Sequence, residues 1–171
     1  MKKGIFRSCT ILVLGFAATQ TIASAQERRD AEETPGIEGV WFVVVTPVDC
    51  NTHQVIPNTV SFRALNMFSH DGSFTNDAAL LVPNPNTPGR GAGLGRWQHT
   101  QGQMFTATMQ FFRHKPDGSF LFMRQVTLKT IMLNGDQFAS FDQFQDFDAN
   151  LNPITSVGSQ GCNIETARRL Q

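Results

Sequence analysis

Arg124 is the side chain with the clearest chemical prospect. A guanidinium taken out of water needs an anion or several hydrogen-bond acceptors. The hairpin registers derived below place Arg124 on an inward face, opposite Met109 and Gln145 and one step from Gln143, with Phe105, Phe111 and Phe122 on the same face. Such a set can hold a small apolar or amphipathic molecule, with a carboxylate on Arg124 and polar support from Gln143 and Gln145. An internal acid, or water at a barrel mouth, satisfies the same arginine.

Other constellations carry less. Asp146-x-Asp148-x-Asn150 has the spacing of a calcium loop's start, but Leu151 stands where such a loop needs glycine and Val157 where it needs glutamate. A polar turn is expected there. Gly89, Gly91, Gly93 and Gly95 precede neither Gly-Lys-Ser/Thr nor a helical pattern, so they form no phosphate loop. There is no Gly-x-Ser-x-Gly elbow, no His-Glu-x-x-His and no histidine beside an identifiable nucleophile. Catalytic residues, metal ions and cofactors are therefore not expected, although an isomerase or cyclase that shapes an apolar substrate would leave no such mark.

The elements that must position Arg124 are strands. Gly72, Gly102, Gly118 and Gly135 each precede a phenylalanine by two or three residues, and Asp-Gly, Asn-Gly and Asn-Pro pairs mark reversals. Between them lie eight stretches rich in phenylalanine, valine and threonine, at 39–48, 60–68, 73–82, 94–99, 103–113, 119–133, 136–147 and 154–167. No stretch has a helical period, and the connections are too short for crossover helices, so an antiparallel meander follows. The turns after the second, fourth and sixth strands are tight, whereas those after the first and third are long. One end is closed and the other open, with Pro83–Gly93 a lip at the open end.

Opposed residues of an antiparallel pair share a face. A Lys115–Gly118 turn pairs Phe111 with Phe122, Met109 with Arg124, Ala107 with Val126 and Phe105 with Leu128. An Asn134-Gly135 turn pairs Leu133 with Asp136 and carries that face onto Ala139, Phe141, Gln143, Gln145 and Phe147. This is the more apolar face of the sixth strand, and it is expected to be interior. Closure of the last strand on the first sets Trp41 near Arg168 and Cys50 near Cys162, with a small bulge between them.

The opening Gly39-x-Trp41 and the terminal Arg168 or Arg169 resemble the ends of lipocalin-like (calycin) barrels. The resemblance implies an eight-stranded antiparallel up-and-down barrel in which an arginine packs across the tryptophan. Two features differ: the chain has no tyrosine, and Phe141-Asp142 stands in place of the lipocalins' Thr-Asp-Tyr-like motif. Avidin-like and allene-oxide-cyclase-like barrels share the plan. With fifteen phenylalanines and six methionines, the interior is either filled or able to hold one small lipophilic ligand. A filled barrel would serve as an envelope structural or interaction module.

Residues 1–25 have the form of an export signal: Lys2, Lys3 and Arg7, an apolar stretch from Cys9 to Ala18, and Ala23-Ser24-Ala25. That stretch is short of the ~20 residues a membrane span requires. A periplasmic or extracellular protein is expected, with a flexible leader at 26–36 and one barrel domain at 37–171. Removing three basic residues with the signal leaves 11 of 14 against 14 acidic ones, a net charge of −3, which disfavours nucleic acid. Cys50 and Cys162 remain and are expected to pair, closing a 112-residue loop.

Overall fold

The computed structural model describes residues 36–79 and 89–171. The expected signal peptide, the leader up to residue 35, and residues 80–88 of the third strand and the lip lie outside them. Nine strands are present: β1 (Gly39–Val48), β2 (Phe62–Phe68), β3 (Ser73–Ala79), β4 (Gly89–Arg90), β5 (Gly93–Gln101), β6 (Met104–His114), β7 (Phe120–Asn134), β8 (Gln137–Phe147) and β9 (Gln160–Arg169). The sheet order is β4-β6-β5-β3-β2-β1-β9-β8-β7, and pairing of β6 with β7 closes it. Because β4 and β5 both pair with β6, at successive places along it, they share one position interrupted at Gly91-Ala92. The result is the expected closed, eight-stranded antiparallel barrel, and no helix occurs among the described residues.

Strand alternation sets the core. In β1, Trp41, Val43 and Val45 are buried while Phe42 and Val44 are less so. Two turns repeat one device, Asp71-Gly72-Ser73 and Asp117-Gly118-Ser119. In each, the aspartate accepts from the serine amide (2.9 and 2.8 Å) and hydroxyl (2.9 and 2.7 Å), and the glycine takes a φ of +80° or +83°. The hairpins β2–β3, β5–β6 and β7–β8 turn tightly at one end, and the long connections gather at the other.

The closed half is packed solid. Trp41 meets Phe138 edge-on at 5.0 Å, Phe68 stacks on Phe74 at 4.6 Å, and Trp97 meets Phe105 at 5.9 Å. Leu128, Ile131 and Leu133 fill the space between, buried with the rings in one cluster. Arg169 seals this plug: its guanidinium lies 4.3 Å from the Trp41 ring centre and donates to the carbonyls of Gly36 and Glu38. Trp41 Nε1 donates to Ile37 O at 2.7 Å. Gly39 is required beside it, since its φ is +118° and a Cβ there would lie 2.9 Å from the guanidinium. Arg168, the other candidate for the clasp, points outward over Phe42.

Three registers differ from expectation. The β1–β9 ladder pairs Trp41 with Arg169 and Val48 with Cys162 without a bulge, and Cys50 reaches its disulfide partner from two residues beyond β1, at a Cα–Cα distance of 5.2 Å. Between Ala107 and Arg113 the β6–β7 ladder slides by two residues, pairing Phe111 with Arg124 and Met109 with Val126, which leaves the faces of that stretch unchanged. On β7 a bulge at Lys129 separates Leu128 from Thr130 in the β7–β8 ladder. That one extra residue switches the inward set from Ile131 and Leu133 to Arg124, Val126 and Leu128. It also puts Phe138, Ser140, Asp142, Phe144 and Asp146 on the inward face of β8. The expected face of β8, with Phe141, Gln143 and Gln145, is the outer one.

Candidate functional site

Above the aromatic plug the barrel interior turns polar. Asn66 on β2 stands opposite Asn76 on β3, and Ser140 and Asp142 on β8 stand opposite Glu165 and Asn163 on β9. Asn66 and Asp142 have no exposed surface, and Glu165 is 2% exposed. These side chains form a chain of donors. Arg90 donates to Asn76 Oδ1, Asn76 Nδ2 to Asn66 Oδ1, and Asn66 Nδ2 to Glu165 Oε2 at 3.2 Å. The direction is forced, because a guanidinium can only donate: the Asn76 oxygen must face Arg90, and each amide NH2 must face the next acceptor.

The two acids lose their water without gaining a cation in contact. Burial, then the neighbouring Glu165, push the Asp142 carboxyl well above the usual carboxylate range, against a hydrogen bond from Ser140 Oγ at 2.7 Å. Burial raises Glu165 to about 7, opposed by its hydrogen bonds. The two carboxyls also hydrogen-bond each other, and among the described residues no other donor reaches Asp142 Oδ2. The pair therefore shares a proton at neutral pH, and the chain of donors from Arg90 through Asn76 and Asn66 onto Glu165 favours the proton resting on Asp142.

Between this polar layer and the open end lies a cavity of about 220 Å³. Asp142, Glu165, Asn76 and Asn163 line it below, and Val45, Phe62, Met109, Phe111, Val126 and Phe144 line its walls. Phe144 fits because β9 offers Gly161 beneath it; a Cβ there would lie 2.7 Å from the ring. The barrel is thus filled over its closed half and hollow over its open half.

Arginines surround the mouth. A recess of about 240 Å³ shares Phe62, Arg90, Phe111 and Arg124 with the cavity and adds Arg113, Ala78 and Ala79. Arg124 points inward, as the register requires, but Asp146 engages it twice, from Nε at 2.6 Å and Nη2 at 2.8 Å, and Phe144 covers it at 3.9 Å. Arg90 lies 3.9 Å from the Phe111 ring centre. Burial lowers Arg90 to about 10, with repulsion from Arg113 and Arg124 adding to it against the attraction of Asp77. Burial and the Arg124 charge lower Arg113. Its Nε is buried and has no hydrogen-bond partner among the described residues. Among the described residues, neither Arg90 nor Arg113 has a carboxylate within ion-pairing distance.

Of the residues singled out from sequence, Arg124, Met109 and Phe111 line the cavity. Phe122 lies beside Arg124 at 5.6 Å. Phe105 belongs to the plug, paired with Ile131 rather than Leu128. Gln143 and Gln145 are outside, along a surface groove beside the disulfide. There Gln145 Nε2 donates to Ile154 O at 2.8 Å and tethers the β8–β9 loop. In the calcium-like stretch, Asp146 serves Arg124, and Asp148 accepts from the amides of Asn150 and Asn152 at 2.8 and 2.9 Å. Sequence reasoning missed Asn66, Asn76, Asp142, Glu165, Arg90 and Arg113. A Trp41–Arg169 register would have found Glu165, because it sets Glu165 opposite the inward Val45. Compared with known proteins, the chain matches no family model and no curated protein.

Proposed function

We propose that this barrel binds one small amphipathic anion, with the apolar body of the ligand in the cavity and a carboxylate or similar group at the mouth. The observation that carries this reading is the pair of half-buried arginines, Arg90 and Arg113, which have no carboxylate partner among the described residues and stand at the rim of an apolar cavity. A desolvated cation without an anion is costly, and a ligand carboxylate would remove that cost. Arg124, first singled out for this role, is already neutralised by Asp146 and acts as a fixed wall. The disulfide is compatible with an exported carrier, the setting in which a lipocalin-like barrel would collect such a molecule. No helix among the described residues is long and apolar enough to cross a membrane.

Native mass spectrometry of the protein from its producing cells should show a discrete small-molecule adduct. Titration with a ladder of short aliphatic and aromatic carboxylates, monitored by calorimetry, supplies the second arm. Arg113→Met leaves the Arg124–Asp146 pair intact, and it should weaken a carboxylate about tenfold, ~1.4 kcal/mol, while leaving the matching neutral amide unchanged. Equal affinity of parent and variant for the carboxylate would remove the proposed anchor.

A further inference from the structure

We propose that Asp142 and Glu165 form a proton-transfer centre that isomerises the bound molecule, shifting a double bond next to a carbonyl. This rests on the ligand-binding reading above and goes beyond it. Three observations converge on it. Both acids line the floor of the cavity and are essentially without solvent exposure. The two carboxyls hydrogen-bond each other there, and among the described residues no other donor reaches Asp142 Oδ2, so the proton they share is held over the cavity floor within reach of a guest. The amide chain from Arg90 ends on Glu165 and hydrogen-bonds its ionised form, which divides the labour: Glu165 is the base and Asp142 the acid.

The step is redox-neutral and needs no co-reactant. In a β,γ-unsaturated carbonyl compound, the Glu165 carboxylate takes a proton from the α-carbon. The released C–H electron pair becomes a new C=C bond, while the Asp142 O–H proton passes to the carbonyl oxygen, giving a dienol. The Glu165 carboxylic acid then delivers its proton to the γ-carbon, and the dienol returns its O–H proton to Asp142. One C–H bond has broken, another has formed, and the α,β-unsaturated isomer leaves. Both acids end as they began. The water-poor walls of Met109, Phe111, Val126 and Phe144 keep the carboxylate poorly hydrated and therefore reactive.

Two probes test this. Nitrobenzisoxazole needs only a base: the carboxylate takes its ring C–H proton, the N–O bond breaks, and a yellow cyanonitrophenolate leaves with the electron pair. Cyclohex-3-enone needs both base and acid to become the conjugated enone. The parent protein should accelerate nitrobenzisoxazole cleavage over equimolar acetate by on the order of 10²–10⁴-fold. The rate should rise with pH through about 7 as Glu165 ionises. Asp142, the Arg90 chain and the Arg124–Asp146 pair are the charged groups facing that transition. Glu165→Gln should lose at least tenfold in rate on both probes. Asp142→Asn should lose as much on cyclohexenone and much less on nitrobenzisoxazole, a split that a merely structural role would not produce.

Saturation-transfer NMR on the same probes separates the two readings. Binding of the probes with a rate no greater than acetate's, or a rate retained in Glu165→Gln, overturns proton transfer and leaves the carrier standing. Failure of these probes and of the carboxylate ladder to bind overturns both. Should a variant not fold, the parent's own profile decides, because a rate flat between about pH 5 and about pH 9 is incompatible with a Glu165 base.

Discussion

Glu165 should make this barrel less stable as the medium becomes neutral, the reverse of ordinary acid denaturation. Its carboxyl titrates near 4.5 in the unfolded chain and about 7 in the barrel. Between those values the folded form holds a proton that the unfolded form has released. Stability is therefore full below about pH 4.5 and falls as pH rises through about 7. At ~1.36 kcal/mol per pKa unit, the displacement amounts to about 3 kcal/mol, a large share of the 5–15 kcal/mol typical of a whole domain. Asp142, also raised, adds to the fall in the same direction. The exposed aspartates of the turns act oppositely but elsewhere. Hydrogen bonds from neighbouring amides and hydroxyls lower Asp49, Asp71, Asp117 and Asp148 below 3.8, so their contribution is present above that value and lost only in stronger acid.

The perturbation is Glu165→Gln. The amide is nearly isosteric; its oxygen can still accept from Asn66 Nδ2, and its NH2 can donate to Asp142, the carboxyl that Glu165 itself hydrogen-bonds. Urea unfolding, followed by the fluorescence of Trp41 and Trp97 from about pH 4.5 to about pH 8, should show the parent losing more stability than the variant, by about 3 kcal/mol. Parallel curves for the two proteins would refute the assignment, and so would a parent whose stability rises across that interval.

Two further perturbations test the frame around the site. Cys162→Ser should lower stability by up to ~4.7 kcal/mol, the scale for closing a loop of about a hundred residues, and a reductant should bring the parent down to the variant. If reductant leaves the parent's thermal transition unmoved, the disulfide is not formed. Arg169→Met should cost roughly 2–4 kcal/mol, combining a lost cation–π contact with the freed carbonyls of Gly36 and Glu38. Arg169→Lys should restore little of it, since an ammonium cannot both cover Trp41 and reach the two carbonyls. Full rescue by lysine in thermal unfolding would count against the clasp.

The fold was legible because it is written in features that tolerate small errors. Turn glycines, strand composition and loop lengths fix the number and direction of strands even when each boundary is wrong by a residue or two. The orientation of Arg124 survived for a related reason. The β6–β7 ladder slid by two residues, and a slide of two preserves the face.

The site depends on parity, and parity does not tolerate an error of one. Lys129 is an unremarkable residue in a strand of fifteen, and nothing in its type announces a bulge. Ignoring it moves Asp142 to the surface and brings Gln143 inward, so the sequence presents two plausible glutamine anchors and hides a buried acid. The hydrophobic pattern could not correct the mistake, because the inward positions of this layer are themselves polar: Asn66, Asn76, Asp142 and Glu165 break the alternation that identifies an interior face. A core made only of apolar residues would have revealed its own register. The residues that make this cavity chemically capable are the ones that erase the signal by which its walls are found, which is why sequence reasoning fails at the place where the structure suggests function.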